Sequence, residues 1–175
     1  MSGSRVCCTQ FWLRKLHSLT GFAFLGYFLC LHVRGIGVWS STAHRLLLLY
    51  LPLLFHGLYG LYITYESRPN LLRYGWVRNW MYFGQRATGV FLVGFIPLHL
   101  GDLLGGAAYG GAAWYRWVWT AGLLAAVFHL ANGIFGTAID WGITVGPHSQ
   151  RVFVGVSFAA FFVLAAYGLH TLSLF

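Results

Sequence analysis

The chain has 175 residues, of which 58% are hydrophobic and 19% aromatic, and only 8% are charged, whereas about a quarter are charged in an average soluble protein. This composition excludes a soluble globular domain and predicts an integral membrane protein. A net charge of +8 would suit nucleic acid, but in so apolar a chain it indicates membrane topology and anionic lipid, and we expect no nucleic-acid partner.

Five apolar segments account for most of the chain and predict an all-α bundle of five transmembrane helices. The first has no fixed charge from Leu16 to Val33, and at about 1.5 Å per residue this run nearly spans a hydrocarbon layer about 30 Å thick. It is too long for a cleaved signal sequence. The expected spans are 12–33, 44–65, 80–101, 114–137 and 152–174. The longest remaining stretch cannot form a soluble catalytic domain, so residues 1–175 are expected to be one membrane domain.

The distribution of positive charge predicts the orientation. Of the eleven Lys and Arg residues, eight lie in the segments on the same side of the membrane as the N-terminus, and three lie on the other side. Cytoplasmic loops carry the excess of Lys and Arg, so the N-terminus is expected in the cytoplasm and, after five spans, the C-terminus outside. The expected location is the inner (cytoplasmic) membrane of the cell.

Each of the first four segments holds a histidine well inside the membrane: His32, His56, His99 and His129. The fifth segment has none until His170, near its outer end, and is expected to be a helix that supports the bundle. Ionisable side chains inside a span cost roughly 2.5 to 3.5 kcal/mol when charged, so they usually face the bundle interior with a partner. A lone histidine can be a packing residue, but one on each of four successive helices favours ligation.

The distance of each histidine from the inner surface predicts how they pair. The markers taken for that surface are Lys15, Glu66, Arg86 and Asp140. The resulting depths are about 26 Å for His32, 15 Å for His56, 20 Å for His99 and 17 Å for His129. The shallower two lie on the second and fourth segments and the deeper two on the first and third. These are the diagonal pairs of an up-down four-helix bundle, although the depths differ by only one or two helical turns.

Two opposed histidines in an apolar bundle suit haem iron, with an imidazole on each face. Zinc would need three or four clustered ligands, and no carboxylate or cysteine lies near either pair. Such a haem has no open coordination site, which favours electron transfer over oxygen chemistry. The sequence lacks Cys-x-x-Cys-His, so the haem would be held without thioether links. Gly60 and Gly133, each four residues after a ligand, would either admit a porphyrin edge or serve helix packing.

His17 is a further candidate for cofactor binding. It lies beside Arg14 and Lys15 at the expected inner boundary, where it would bond a haem propionate or lie near a quinone. The alternative is an ordinary interfacial histidine. The remaining histidines, at membrane edges or without an evident partner, are not expected to be ligands: His44, His148 and His170.

Four segments carry a family resemblance: RKLHSLTG at 14–21, FHGLYG at 55–60, FHLANG at 128–133 and WGITVGP at 141–147. They resemble the di-haem cytochrome b anchor subunit of type B succinate:quinone oxidoreductases, the family of succinate dehydrogenases and related fumarate reductases. The resemblance implies a proximal haem ligated by His56 and His129 and a distal haem ligated by His32 and His99. This agrees with the pairing by depth.

The resemblance also implies the partners and the activity. A flavoprotein subunit and an iron-sulfur subunit would lie on the cytoplasmic side and carry out succinate oxidation, so no catalytic residue is expected in this chain. Electrons would pass between the iron-sulfur subunit and a quinone, menaquinone rather than ubiquinone, and the complex could form a higher oligomer. Some relatives have a glutamate for proton transfer at the position of Val127, so that proton route is not expected here.

Two other functions are compatible with the histidines alone. The first is a cytochrome b anchor of another quinone-linked enzyme, such as a formate dehydrogenase or a hydrogenase. The second, from a different class, is a proton channel or transporter that uses the buried histidines as a relay.

Overall fold

A computed structural model of the chain describes residues 2–34, 41–68, 70–73, 75–103 and 113–172. Within these ranges the chain forms helices and no strand, which confirms the predicted all-α class. The helices are α1 (Ser2–Arg34), α2 (Thr42–Glu66), α3 (Val77–Leu103), α4 (Ala113–Asp140) and α5 (Pro147–Leu172). One stretch of α2, Leu46–Tyr50, is π-helical. The expected end of the fifth segment, at Leu174, lies outside the described residues.

All five helices begin before the apolar segments that predict them, and three of them do so by three residues or more. α1 begins at Ser2, ten residues before the expected span 12–33, and α3 begins at Val77 rather than at residue 80. α5 begins at Pro147 rather than at residue 152, because proline fits the first turn of a helix, where its missing N–H is not needed. Hydropathy marks only the stretch suited to hydrocarbon, so it does not report polar helix ends.

Three helical stretches of the described chain are long and apolar enough to cross a membrane: Thr42–Glu66, Trp114–Asp140 and Pro147–His170. Their outward faces carry large apolar side chains, among them Leu54, which is 57% exposed, and Phe162, which is 65% exposed. A soluble monomer rarely exposes contiguous surface of this kind, whereas lipid covers it without cost. The helices therefore have the composition of membrane-spanning segments.

The chain divides into two compact units, Met1–Glu66 and Ser67–Phe175. In the first unit α1 packs against α2, and in the second α4 packs against both α3 and α5. Each packed pair is antiparallel. In the second unit, for example, Gly84 of α3 lies against Phe128 of α4, while Phe95, farther along α3, lies against Gly122, which precedes Phe128 in α4.

A glycine turn joins α4 to α5. Gly142 and Gly146 have positive φ angles of 70° and 89°, a conformation that side-chain-bearing residues rarely adopt. The N–H groups of Ile143 and Thr144 both donate to the carbonyl oxygen of Ala138, at 2.8 and 3.1 Å, and so cap the C-terminus of α4. This geometry explains why glycines occur at these two places in the WGITVGP segment.

Two buried polar side chains of the second unit should differ in their effect on stability. Asn132, 7% exposed, donates from Nδ2 to the carbonyl oxygen of Met81 at 2.6 Å and so links α4 to α3. Replacing it with leucine should lower the free energy of unfolding by about 1 kcal/mol, because this hydrogen bond is lost. Unfolding in a graded mixture of mild and denaturing detergent measures the difference.

Ser157 provides the control for that measurement. It is 3% exposed, and its Oγ has no hydrogen-bond partner among the residues that the structure describes. Ser157→Ala should therefore leave the free energy of unfolding within about 0.5 kcal/mol of wild type. Equal losses from Asn132→Leu and Ser157→Ala would show that the Asn132 bond contributes nothing.

Candidate cofactor-binding site

In the first unit, the imidazole of His56 is oriented by a hydrogen bond between helices. Its Nδ1 lies 2.8 Å from the carbonyl oxygen of His17 in α1. Because a carbonyl oxygen can only accept, Nδ1 carries the proton, and the neutral ring keeps its lone pair on Nε2. Nε2 is the atom that a metal would bind.

Glycines make this close approach of α1 and α2 possible. A Cβ atom at Gly21 would lie 2.7 Å from Cε1 of His56, and one at Gly60 would lie 3.1 Å from Cε1 of His17. The two imidazole rings stack nearly parallel, with centroids 4.0 Å apart. Gly60 therefore makes room for a side chain of the neighbouring helix. Of its two expected roles, admitting a porphyrin edge or serving helix packing, this contact corresponds to the second.

The carbonyl oxygen of His17 has a second donor. Thr20 Oγ1 lies 3.0 Å from this oxygen and 2.8 Å from the carbonyl oxygen of Leu16. Hydroxyl bonds of this kind to the preceding turn often bend helices. Thr20 therefore helps to define the turn of α1 that receives the His56 ring.

In the second unit, His129 is oriented in the same way. Its Nδ1 lies 3.0 Å from the carbonyl oxygen of Gln85 in α3, so this ring also carries its proton on Nδ1 and its lone pair on Nε2. Thr88 Oγ1 is 3.3 Å from the same Nδ1. Because this hydroxyl donates to the carbonyl oxygen of Gly84 at 2.7 Å, it accepts from His129. A Cβ at Gly89 would lie 3.0 Å from Cε1 of the His129 ring.

The contacts in the first unit correct the expected depths. Since His17 and His56 touch in an antiparallel pair, they lie at one level, about 15 Å from the C-terminal end of α2 at Glu66. Lys15 and Glu66 therefore do not mark one surface. His32 lies 15 residues beyond His17 in α1, which places its backbone about 22 Å farther along the helix. The structure does not describe the side chain of His32.

The second unit gives the same correction. Gln85 lies at the level of His129, about 17 Å from the C-terminal end of α4 at Asp140, so Arg86 and Asp140 do not mark one surface either. His99 lies 14 residues beyond Gln85 in α3, or about 21 Å farther along the helix. In each unit the two candidate ligands are therefore about four helical turns apart along the helix axes, rather than one or two.

Aromatic rings surround His99. Its ring stacks against that of Phe95, with centroids 5.9 Å apart, and meets the Trp119 ring edge-on at 4.5 Å. Tyr115 packs against Trp119 at 5.5 Å. His99 thus lies among aromatic rings, in a largely apolar surrounding near the C-terminal end of α3.

The other histidines in the described ranges stand apart from these sites. His44 is half-buried and bonded to the hydroxyl of Ser41, and His148 and His170 are exposed near the ends of α5. Across the described ranges, no three His, Cys, Asp or Glu residues form a group that could hold a metal ion. Each expected ligand pair combines one histidine of the first unit with one of the second: His56 with His129, and His32 with His99.

Sequence analysis did not identify Gln85 as a site residue, although its carbonyl oxygen fixes the His129 ring. Glutamine is not a typical metal ligand, and its main-chain oxygen has no signature of its own. A signal was nevertheless available, because Thr-Gly follows at the third and fourth positions after both His17 and Gln85.

Comparisons with known proteins identify the family. Residues 66–167 match the family described as the succinate dehydrogenase/fumarate reductase transmembrane subunit. The chain is also 31% identical, over the full length of both proteins, to the succinate dehydrogenase cytochrome b558 subunit of Bacillus subtilis (strain 168). No solved structure matches the chain significantly. These matches confirm the broader family to which the four sequence segments point, and the chain belongs to the succinate dehydrogenase/fumarate reductase transmembrane subunits.

Proposed function

We propose that this chain is the di-haem cytochrome b anchor of a type B succinate:quinone oxidoreductase. In this role it carries electrons between an iron-sulfur subunit and a quinone. One observation carries the proposal: the histidines of α2 and α4 both donate Nδ1–H to a backbone carbonyl of the preceding helix. Metal-binding histidines almost always donate their second ring N–H in this way, because the bond fixes the ring and its tautomer.

In the proposal, His56 and His129 ligate the proximal haem, and His32 and His99 the distal one. The separation of about four helical turns between the two candidate ligands in each unit supports two separate layers of cofactor. When bound, a haem with histidine on both faces would exchange single electrons and offer no open site to oxygen. The chain itself supplies the ligands, their orientation and an apolar surrounding.

His17 is the proposed contact for a propionate of the proximal haem. Its ring is held against that of His56, one turn of α2 from Gly60. Lys15 lies two residues before it in α1, so the local charge suits a carboxylate.

The proposed topology has five spans, with the N-terminus in the cytoplasm and the C-terminus outside. The connections before α3 and before α5 then face the iron-sulfur subunit. They are basic, and the side chains of Arg78 and Gln150 are hydrogen-bonded to each other there, which links the starts of α3 and α5. The flavoprotein and iron-sulfur subunits carry out succinate oxidation, menaquinone is the quinone, and the complex lies in the cytoplasmic membrane.

The two alternative functions, an anchor of another quinone-linked enzyme and a proton relay, have less support. Family membership argues against the anchor of a formate dehydrogenase or hydrogenase. A histidine relay must take up a proton on one ring nitrogen and release one from the other. Nδ1–H of both His56 and His129 points at a backbone carbonyl, which does not accept a proton for transfer, so these rings are poorly placed for a relay.

The proposal predicts two haems b per chain in the purified complex. The dithionite-reduced minus oxidised spectrum should show b-type bands, and the pyridine haemochromogen assay should give a ratio of two. A flavoprotein and an iron-sulfur subunit should copurify. The variants His44→Ala and His148→Ala, which change histidines outside the candidate site, should retain both haems. A complex without b-type bands would refute the proposal.

A further inference from the structure

The hairpin α1–α2 and the hairpin α3–α4 repeat one arrangement around a histidine. In each, the histidine Nδ1 donates to a backbone carbonyl of the preceding helix, at 2.8 Å for His56 and at 3.0 Å for His129. A threonine lies three residues after the residue that supplies this carbonyl, Thr20 in α1 and Thr88 in α3. Each threonine therefore has a counterpart in the other hairpin.

The two threonine hydroxyls make the same bonds to the backbone. Each bonds the carbonyl oxygen four residues earlier, at 2.8 Å for Thr20 and 2.7 Å for Thr88. Each also lies near the carbonyl oxygen that receives the histidine N–H, at 3.0 Å from that of His17 and 3.2 Å from that of Gln85. As far as the backbone is concerned, the two side chains are equivalent.

The contact with the imidazole differs between the hairpins. Thr88 Oγ1 lies 3.3 Å from Nδ1 of His129, whereas the bonds of Thr20 in the described ranges go to backbone carbonyls. A hydroxyl has one proton, and the shortest bond of Thr88 gives that proton to the carbonyl of Gly84. Its oxygen lone pairs therefore face the N–H of His129 as a second acceptor.

The position of the His129 ring agrees with a shared N–H. A Cβ at Gly21 would lie 2.8 Å from Nδ1 of His56, but one at Gly89 would lie 3.5 Å from Nδ1 of His129. The His129 ring thus keeps its Nδ1 farther from the backbone of the neighbouring helix, and its bond to the carbonyl is the longer of the two.

An acceptor at Nδ1–H changes what the ring offers to a metal at Nε2. It makes the imidazole more basic, and hydrogen bonds outside the ligand shell are one of the ways in which a protein sets the potential of a haem. A more basic ligand favours the oxidised iron, which carries the extra positive charge. The partial negative charge of the Thr88 oxygen acts in the same direction.

We propose that Thr88 lowers the midpoint potential of the haem that His129 ligates, by accepting from Nδ1–H together with the carbonyl of Gln85. The inference rests on the proposed function, because it takes haem iron as the group at Nε2. Thr88 is a positioning residue that acts through His129 and does not touch the iron.

The test is a potentiometric titration of the b-type bands in the purified complex. Thr88→Val has a similar shape without the hydroxyl, so it should retain two haems per chain and shift the midpoint of one of them to a more positive value. That haem should be the one that His129→Ala removes. Thr88→Ser restores the hydroxyl and should return the midpoint toward wild type.

Thr20→Val is the matched control on the same proposed haem. It removes the equivalent hydroxyl and the equivalent bonds to the backbone, but no acceptor of a ring N–H. Because it leaves the carbonyl of His17 to the His56 ring alone, it should not raise the midpoint. An equal rise in Thr20→Val and Thr88→Val would overturn the inference, since the loss of any hydroxyl near the haem would then be sufficient.

The remaining outcomes separate the inference from the proposed function. If wild type holds two haems and Thr88→Val has wild-type midpoints, the inference is overturned and the proposed function stands. If Thr88→Val loses a haem, retention of both haems with wild-type midpoints in Thr88→Ser supports the inference, and loss in both variants overturns it. If wild type lacks b-type bands, both fail.

Discussion

Replacing His129 with alanine should remove one of the two proposed haems from the complex and leave the other in place. The variant loses the only side-chain nitrogen that α4 offers to iron at this level, while the ring's partner in α3, the carbonyl oxygen of Gln85, cannot replace it. The haem content per chain should fall from two to one, and succinate:quinone reductase activity should fall to background. The pyridine haemochromogen assay and the reduced spectrum measure the first effect.

The identity of the remaining haem makes this prediction sharper. His56→Ala and His129→Ala should leave the same residual spectrum, because they remove the same haem, whereas His99→Ala should leave the complementary one. His44, which is bonded to Ser41 and is not a candidate ligand, provides the control, and its alanine variant should keep both haems. Equal residual spectra from His129→Ala and His99→Ala would contradict the assignment of ligands to two layers.

The sequence predicts the helices well because an apolar run of sufficient length has few alternatives in lipid. It does not predict the register between helices. Lys15 and Arg86 are plausible surface markers from their charge alone, but contacts between helices place them near the level of His56 and His129. Register is fixed by which side chains meet across a pair, and hydropathy contains no information about that.

The candidate site could be predicted in part. Histidine is rare and costly inside a membrane span, so His56, His99 and His129 stand out from their residue type alone. The atoms that orient these histidines cannot be recognised from the sequence, because a main-chain oxygen such as that of Gln85 occurs at every position. The glycines were recognised by spacing, but the side chains that fill the space they leave belong to another helix and become visible only in the structure.

Adding a methyl group at Gly21 should disrupt haem binding although the residue has no side chain of its own. A Cβ there would lie 2.7 Å from Cε1 and 2.8 Å from Nδ1 of His56, closer than atoms in contact allow. The ring would have to move away from α1, and its bond to the carbonyl oxygen of His17, one turn earlier on that helix, would be lost. Loss of such an orienting bond typically weakens metal binding about 10- to 100-fold.

The loss of haem in three glycine variants should therefore follow the space available for a Cβ atom at each position. Haem content per chain and the loss of haem on warming measure this effect. Gly21→Ala should be most affected. Gly89→Ala, whose Cβ would lie 3.0 Å from Cε1 and 3.5 Å from Nδ1 of His129, should be milder, because a shift of a few tenths of an ångström relieves the contact. Gly57→Ala, in open space beside His56, should retain both haems, since alanine favours a helix by roughly 0.5–1 kcal/mol over glycine. Similar haem loss in Gly57→Ala and Gly21→Ala would mean that the glycines act through helix stability and not through the position of the imidazole.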